Sequence, residues 1–66
     1  MDGTKIGDRL IELRGNKTQT EVSEALGISN TTLSMYENGE RIPRDEIKVR
    51  IANFYGLTVG EIFFVD

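Results

Sequence analysis

The chain has no Cys and no His. Without Cys there is neither a disulfide nor a thiolate metal site. Without His, the commonest general base and metal ligand is missing. Carboxylates alone can hold a hard cation, but the sequence has no acidic cluster and no EF-hand spacing, so no metal is expected. Activated nucleophiles, usefully spaced paired carboxylates and phosphate loops are also absent, so no enzyme is expected and no cofactor or small-molecule ligand is implied. The longest apolar run, Ile62 to Val65, falls far short of the ~20 residues of a membrane span. Neither a span nor a signal peptide is expected, and a cytoplasmic location is. β-Branched alternation is missing, so strands are not expected. Pro is confined to Pro43. At 66 residues the chain is expected to be one small domain burying little apolar surface. Hydrophobic residues at 38% and charged residues at 29% fit a folded domain better than a disordered one. The net charge of −3 speaks, taken alone, against a nucleic-acid partner.

What the sequence does have is punctuation. Gly15, Gly27, Gly39 and Gly56 each stand where an apolar periodicity stops. The pattern predicts an all-α chain of five short helices. The first runs from about Lys5 to Arg14, capped by Thr4, with Ile6, Leu10 and Leu13 on one face. The second runs from about Gln19 to Leu26. Thr18-x-x-Glu21 is its capping box, and Val22, Ala25 and Leu26 are its apolar face. The third runs from about Asn30 to Glu37, with Ser29 as cap and Leu33 and Tyr36 inward. The fourth runs from about Asp45 to Tyr55, with Ile47, Ile51, Ala52 and Tyr55 on one face. The fifth runs from Val59 to about Phe64, behind a second capping box, Thr58-x-x-Glu61.

Two of these helices meet through Gly27-Ile28-Ser29. A turn of ~3–4 residues containing Gly, between helices that cross steeply, is the helix-turn-helix unit. Ser23 is small where the helices would cross, Gly27 can take the left-handed conformation, and Ile28, Leu33 and Tyr36 can anchor the third helix on the second. Any helical hairpin with a glycine turn shares part of this pattern. The stretch Thr18-Gln19-x-Glu21-Val22-x-x-Ala25-Leu26-Gly27-Ile28-Ser29, then Leu33-Ser34-x-Tyr36-Glu37-Asn38-Gly39, resembles the Cro/lambda-repressor-like (XRE) DNA-binding domains. So do Pro43, Ile51-Ala52, Gly56-Leu57-Thr58-Val59 and Glu61-Ile62-Phe63, so the resemblance covers about Ile6 to Phe64, with the motif at about 18–39. Three features depart from it. The connection Gly15-Asn16-Lys17 is short, Ser23 stands where Ala is usual, and the window from Thr18 to Glu40 holds four Glu and no Lys or Arg.

The resemblance implies a compact five-helix bundle whose third helix enters the DNA major groove, as a dimer on a palindromic operator. Residue by residue, it places Asn30, Thr31 and Met35 toward the bases. Asn30 could pair with adenine, and Thr31 and Met35 could meet a thymine methyl, so an A·T-leaning site is expected. A solvated helix start is the alternative for Asn30, Thr31 and Thr32, and an ordinary surface Met for Met35. Gln19 and Asn38 match the family's phosphate-binding positions. Ser29, Thr32 and Ser34 are further hydroxyl donors, and Arg41 and Arg44 lie in the loop after the third helix. The family pattern pairs Arg14 with Glu37; two unrelated surface charges are the alternative.

Charge divides by segment. Residues 1–17 carry net +1, 18–40 net −4, 41–50 net +2 and 51–66 net −2. So few cations imply a shallow salt dependence and weak monomeric binding, with a homodimer supplying affinity. Phe54, Ile62 and Phe64, near Val65, are the candidate dimer surface, because a helix of one or two turns cannot bury every neighbouring aromatic. Core filling by Phe54 and Phe63, with Phe64 merely exposed, is the alternative. The expected function is sequence-specific binding of duplex DNA by a bacterial or phage transcriptional regulator, a repressor acting by operator occupancy. The alternative is an antitoxin-like or adaptor module whose acidic face binds a protein.

Overall fold

Every helix but the fourth begins at a side chain that accepts early backbone N–H groups, and most end at a glycine. A computed structural model describes residues 2–64. It contains α1 (Gly3–Arg14), α2 (Gln19–Leu26), α3 (Asn30–Glu37), α4 (Asp45–Tyr55) and α5 (Val59–Phe63). The bounds of α2, α3 and α4 fall where the caps and glycines put them.

Helix α1 starts two residues earlier than expected. The Asp2 carboxylate, not the Thr4 hydroxyl, is the cap; it accepts from the N–H groups of Thr4 at 2.9 Å and Lys5 at 3.4 Å. A carboxylate also gains from the positive end of the helix dipole, so it outcompetes a hydroxyl two residues on. At α2 the Thr18 hydroxyl accepts from the Glu21 N–H at 3.0 Å. At α5 both halves of the capping box form, Glu61 N–H to Thr58 Oγ1 at 3.1 Å and Thr58 N–H to Glu61 Oε1 at 2.9 Å.

The core is Ile6, Leu10, Val22, Leu26, Leu33, Tyr36, Ile51, Ala52, Ile62 and Phe63. Leu13, Ile28, Ile47 and Tyr55 pack half-buried at its margin. Ala25 is exposed instead of inward. The buried stripe of α2 is Val22, Ser23 and Leu26; it leans toward Ser23, where the start of α3 lies against it. Arg50 on α4 donates to the Leu26 carbonyl at 3.2 Å, satisfying one of the end carbonyls of α2.

Helices α1 and α3 approach each other closely. Gly7 is buried in the middle of α1. A Cβ there would overlap the Glu37 carbonyl oxygen and stand 2.9 Å from the Glu37 carbonyl carbon. One turn earlier, a Cβ on Gly3 would stand 2.9 Å from the Gly39 carbonyl oxygen. The end of α3 is therefore clamped backbone to backbone on α1, α2 flanks its start, and its outer face is left open. Among the described residues no helix is long and apolar enough to cross a membrane.

Candidate nucleic-acid interface

Gly27 takes φ 72°, which lets the Ile28 N–H return to the Ser23 carbonyl at 3.0 Å and ends α2 abruptly. Ser29 restarts the chain as a helix; its Oγ accepts from the Thr32 N–H at 3.0 Å. Leu33 and Tyr36 then bury one side of α3. The opposite side opens on a shallow groove of about 330 Å³, lined by Gln19, Asn30, Thr31, Ser34, Met35 and Glu40. The expected base-facing residues Asn30, Thr31 and Met35 thus share one concavity with Gln19 and Ser34. Glu40 is the member that sequence reasoning did not place there. Gly39 at φ 77° turns the chain so that the Glu40 N–H bonds the Met35 carbonyl at 2.9 Å, which brings Glu40 beneath Met35. The glycine was the signal for that turn.

Arg14 and Glu37 are paired. Arg14 Nε meets Glu37 Oε2 at 2.7 Å and Nη2 meets Oε1 at 3.2 Å. Gln19 Nε2 adds a third bond to Oε1 at 2.9 Å. Arg14 Nη1 donates to the Lys17 carbonyl at 2.9 Å, so the short connection between α1 and α2 is fastened by the same guanidinium and does not prevent the pair. The hydrogen bond to Glu37 raises the Arg14 pKa further above its ordinary range. Burial, and then the charge of Glu37, raises that of Tyr55. Glu37 is buried, so of the four acidic residues in the central window only Glu21, Glu24 and Glu40 are exposed.

Asn30 is not a free side chain. Its Nδ2 donates to Thr20 Oγ1 at 3.0 Å, and its Oδ1 accepts from the Ser23 hydroxyl. Pairing with adenine would compete with these bonds to α2. The Ser29 hydroxyl donates to Thr32 Oγ1 at 2.9 Å, which leaves the Thr32 proton as the free donor at that corner. Asn38, Arg41 and Arg44 are exposed beyond the end of α3. Lys48 is buried; its Nζ lies 5.8 Å from the Phe63 ring centroid, 5.5 Å from that of Phe64 and 3.6 Å from Asp45 Oδ1. Among the described residues, Arg41 and Arg44 take part in no ion pair.

The candidate dimer surface is smaller than expected. Ile62 is 0% exposed and belongs to the core, because α5 turns Ile62 and Phe63 inward together. Phe64, at 65% exposure, and Phe54, at 37% and edge-on to Tyr55, remain at the surface. Val65 lies outside the described residues.

Residues 9–62 match the helix-turn-helix family, and the chain belongs to it, in its Cro/lambda-repressor-like (XRE) branch. The chain is 43% identical over 62 residues to the ImmF control region 10 kDa protein of Bacillus phage phi105, across 91% of this chain and 69% of that protein. It is 38% identical over 60 residues to the cryptic phage CTXphi transcriptional repressor RstR of Vibrio cholerae serotype O1, across 88% of this chain and 54% of the repressor. An uncharacterized HTH-type transcriptional regulator of Methanocaldococcus jannaschii is 31% identical over 51 residues, 77% of each chain. The chain spans about half the length of the Vibrio repressor. No solved structure matches it.

Proposed function

We propose that the chain binds duplex DNA through the open face of α3 and regulates transcription by occupying an operator, as a repressor and without catalysis. The observation that carries this is the groove along α3, lined by the uncharged polar side chains Gln19, Asn30, Thr31 and Ser34 together with Met35 and Glu40. An α-helix with its side chains is ~10–12 Å across, and the major groove is ~12 Å wide. Thr31 and Met35 face the bases, with Ser34 beside them. Gln19, held by Glu37 at the start of α2, and Asn38 take phosphates on either side. Thr32, Arg41 and Arg44 add contacts at the margins. Membership of the helix-turn-helix family and the names of the phage relatives support the same reading.

Two copies on a palindromic operator would place their α3 helices ~34–36 Å apart. The exposed Phe64 and Phe54, on elements away from the groove, are where those copies meet. Sedimentation equilibrium at high concentration should show a dimer that Phe64→Ser weakens; a monomer throughout removes this part of the proposal. The binding itself is tested by selecting duplexes from a random pool. The expected result is an A·T-leaning half-site bound with a shallow salt slope. The exposed Glu21, Glu24 and Glu40 favour a second reading, a protein-binding adaptor or antitoxin-like module. Absence of duplex binding at low salt would support it.

A further inference from the structure

We infer that Asn30 is a positioning residue: it fastens the start of the recognition helix to α2 and is not the helix's first base reader. This deepens the DNA-binding reading and rests on it only for the half of the test that uses DNA.

Asn30 is the first residue of α3. Its side chain reaches back across the turn to two hydroxyls on α2, Thr20 and Ser23. Ser23 is only 3% exposed, so its hydroxyl needs a partner inside the protein. The Ser23 hydroxyl also lies 3.2 Å from the Thr20 carbonyl. It has a single proton to share between that carbonyl and Asn30 Oδ1. Both partners of the amide are hydroxyls, which donate or accept by rotating, so the fastening holds in either orientation of the amide. Leu33, the fourth residue of α3, and Tyr36 are its buried apolar side chains, and Ile28 lies before its cap, so the first three residues of α3 bring only polar side chains to the crossing. The Asn30 bonds are therefore what sets how far the first turn of α3 projects from α2, and so how Thr31 and Met35 meet the bases.

The test compares Asn30→Ala, Thr20→Val, their combination and Asn30→Asp. Without DNA, chemical denaturation should show Asn30→Ala lowering the folding equilibrium constant about fivefold, the worth of about one hydrogen bond. Adding Thr20→Val should lower it little further, because the two share one interaction. Asn30→Asp should keep most of the lost stability, since both hydroxyls can turn to donate to a carboxylate. Additive losses, or no rescue by Asp, would overturn the inference. With DNA, Asn30→Ala should weaken the selected site and each of its single-base variants by a similar factor, leaving the order of preference intact. Loss of preference at one adenine position alone, independent of Thr20, would make Asn30 a base reader. If no duplex binds the wild-type chain, the DNA-binding reading fails, and the denaturation comparison still decides the positioning role.

Discussion

Arg14 and Glu37 lie 23 residues apart and meet through two hydrogen bonds, of 2.7 and 3.2 Å. The side chain of Glu37 is 3% exposed and that of Arg14 is 21% exposed. A buried carboxylate stripped of its cation is costly, about 3 kcal/mol or more. Arg14→Met should therefore lower stability in urea denaturation by about that much, a large share of what a chain this small has. Glu37→Gln, which keeps the shape and leaves no buried charge, should cost less. Equal losses in the two variants would mean that the pair matters for its packing and not for its charge.

Gly7 and Gly60 both lie in helices, and Ala at the two should act in opposite directions. In an exposed helix Gly→Ala gains up to ~1 kcal/mol from propensity. At Gly60 an added methyl meets only Thr58 Oγ1 at 3.8 Å, so a gain is expected. At Gly7 the methyl would enter the backbone of Glu37, and forcing α1 away from α3 should cost about 1–3 kcal/mol. Thermal melts of the two variants check this. A stabilised Gly7→Ala would show that α1 is not held against α3.

Acid should weaken α5. The Thr58 N–H, and then the Thr58 side chain, hold the Glu61 carboxyl below its ordinary range. A carboxyl whose folded value is depressed stabilises the fold above its unfolded value, near pH ~4, and loses that contribution as pH falls through the lower folded value. Melting curves from neutral pH downward should show wild type ahead of Glu61→Gln near neutrality and the two converging in acid. A constant gap at all pH values would mean that the charge of Glu61 plays no part.

Glu40 is the carboxylate on the groove, and among the described residues it has no ion-pair partner. Beside phosphates it repels. Glu40→Gln should raise affinity for all duplexes at low salt. Glu40→Lys should raise it more and steepen the salt slope by ~0.9 if the new cation neutralises one phosphate. A change confined to one base position would instead make Glu40 a reader of that base.

The bounds of α2, α3 and α4 were legible because local chemistry decides them. Thr18, Ser29 and Thr58 cap, and Gly15, Gly27, Gly39 and Gly56 all take positive φ. The grouping of Asn30, Thr31 and Met35 with Gln19 was legible through the family resemblance. What escaped the sequence depends on which element lies opposite. Gly7 looks like a weak spot in a helix until the carbonyl of Glu37 is seen against it. Ile62, Phe63 and Phe64 are consecutive, and a helix of 5 residues is too short for periodicity to say which face inward. Asn30 fits an adenine as well as it fits two hydroxyls; only the crossing of α3 over α2 brings Thr20 and Ser23 within its reach. Net charge is a poor guide to any one face for a similar reason, since a sum over the chain cannot show that Glu37 is buried against Arg14.

The reading of DNA by the open face of α3 is proposed above and is open to a direct test. Fluorescence anisotropy on a duplex selected from a random pool, with wild type, Thr31→Ala and Met35→Ala across a salt series, tests it most directly. Binding should weaken gently with salt, and the substitutions should relax preference at individual base positions while the fold stays intact by circular dichroism. Wild-type binding that shows no sequence preference, or no binding at low salt by a folded chain, would contradict it.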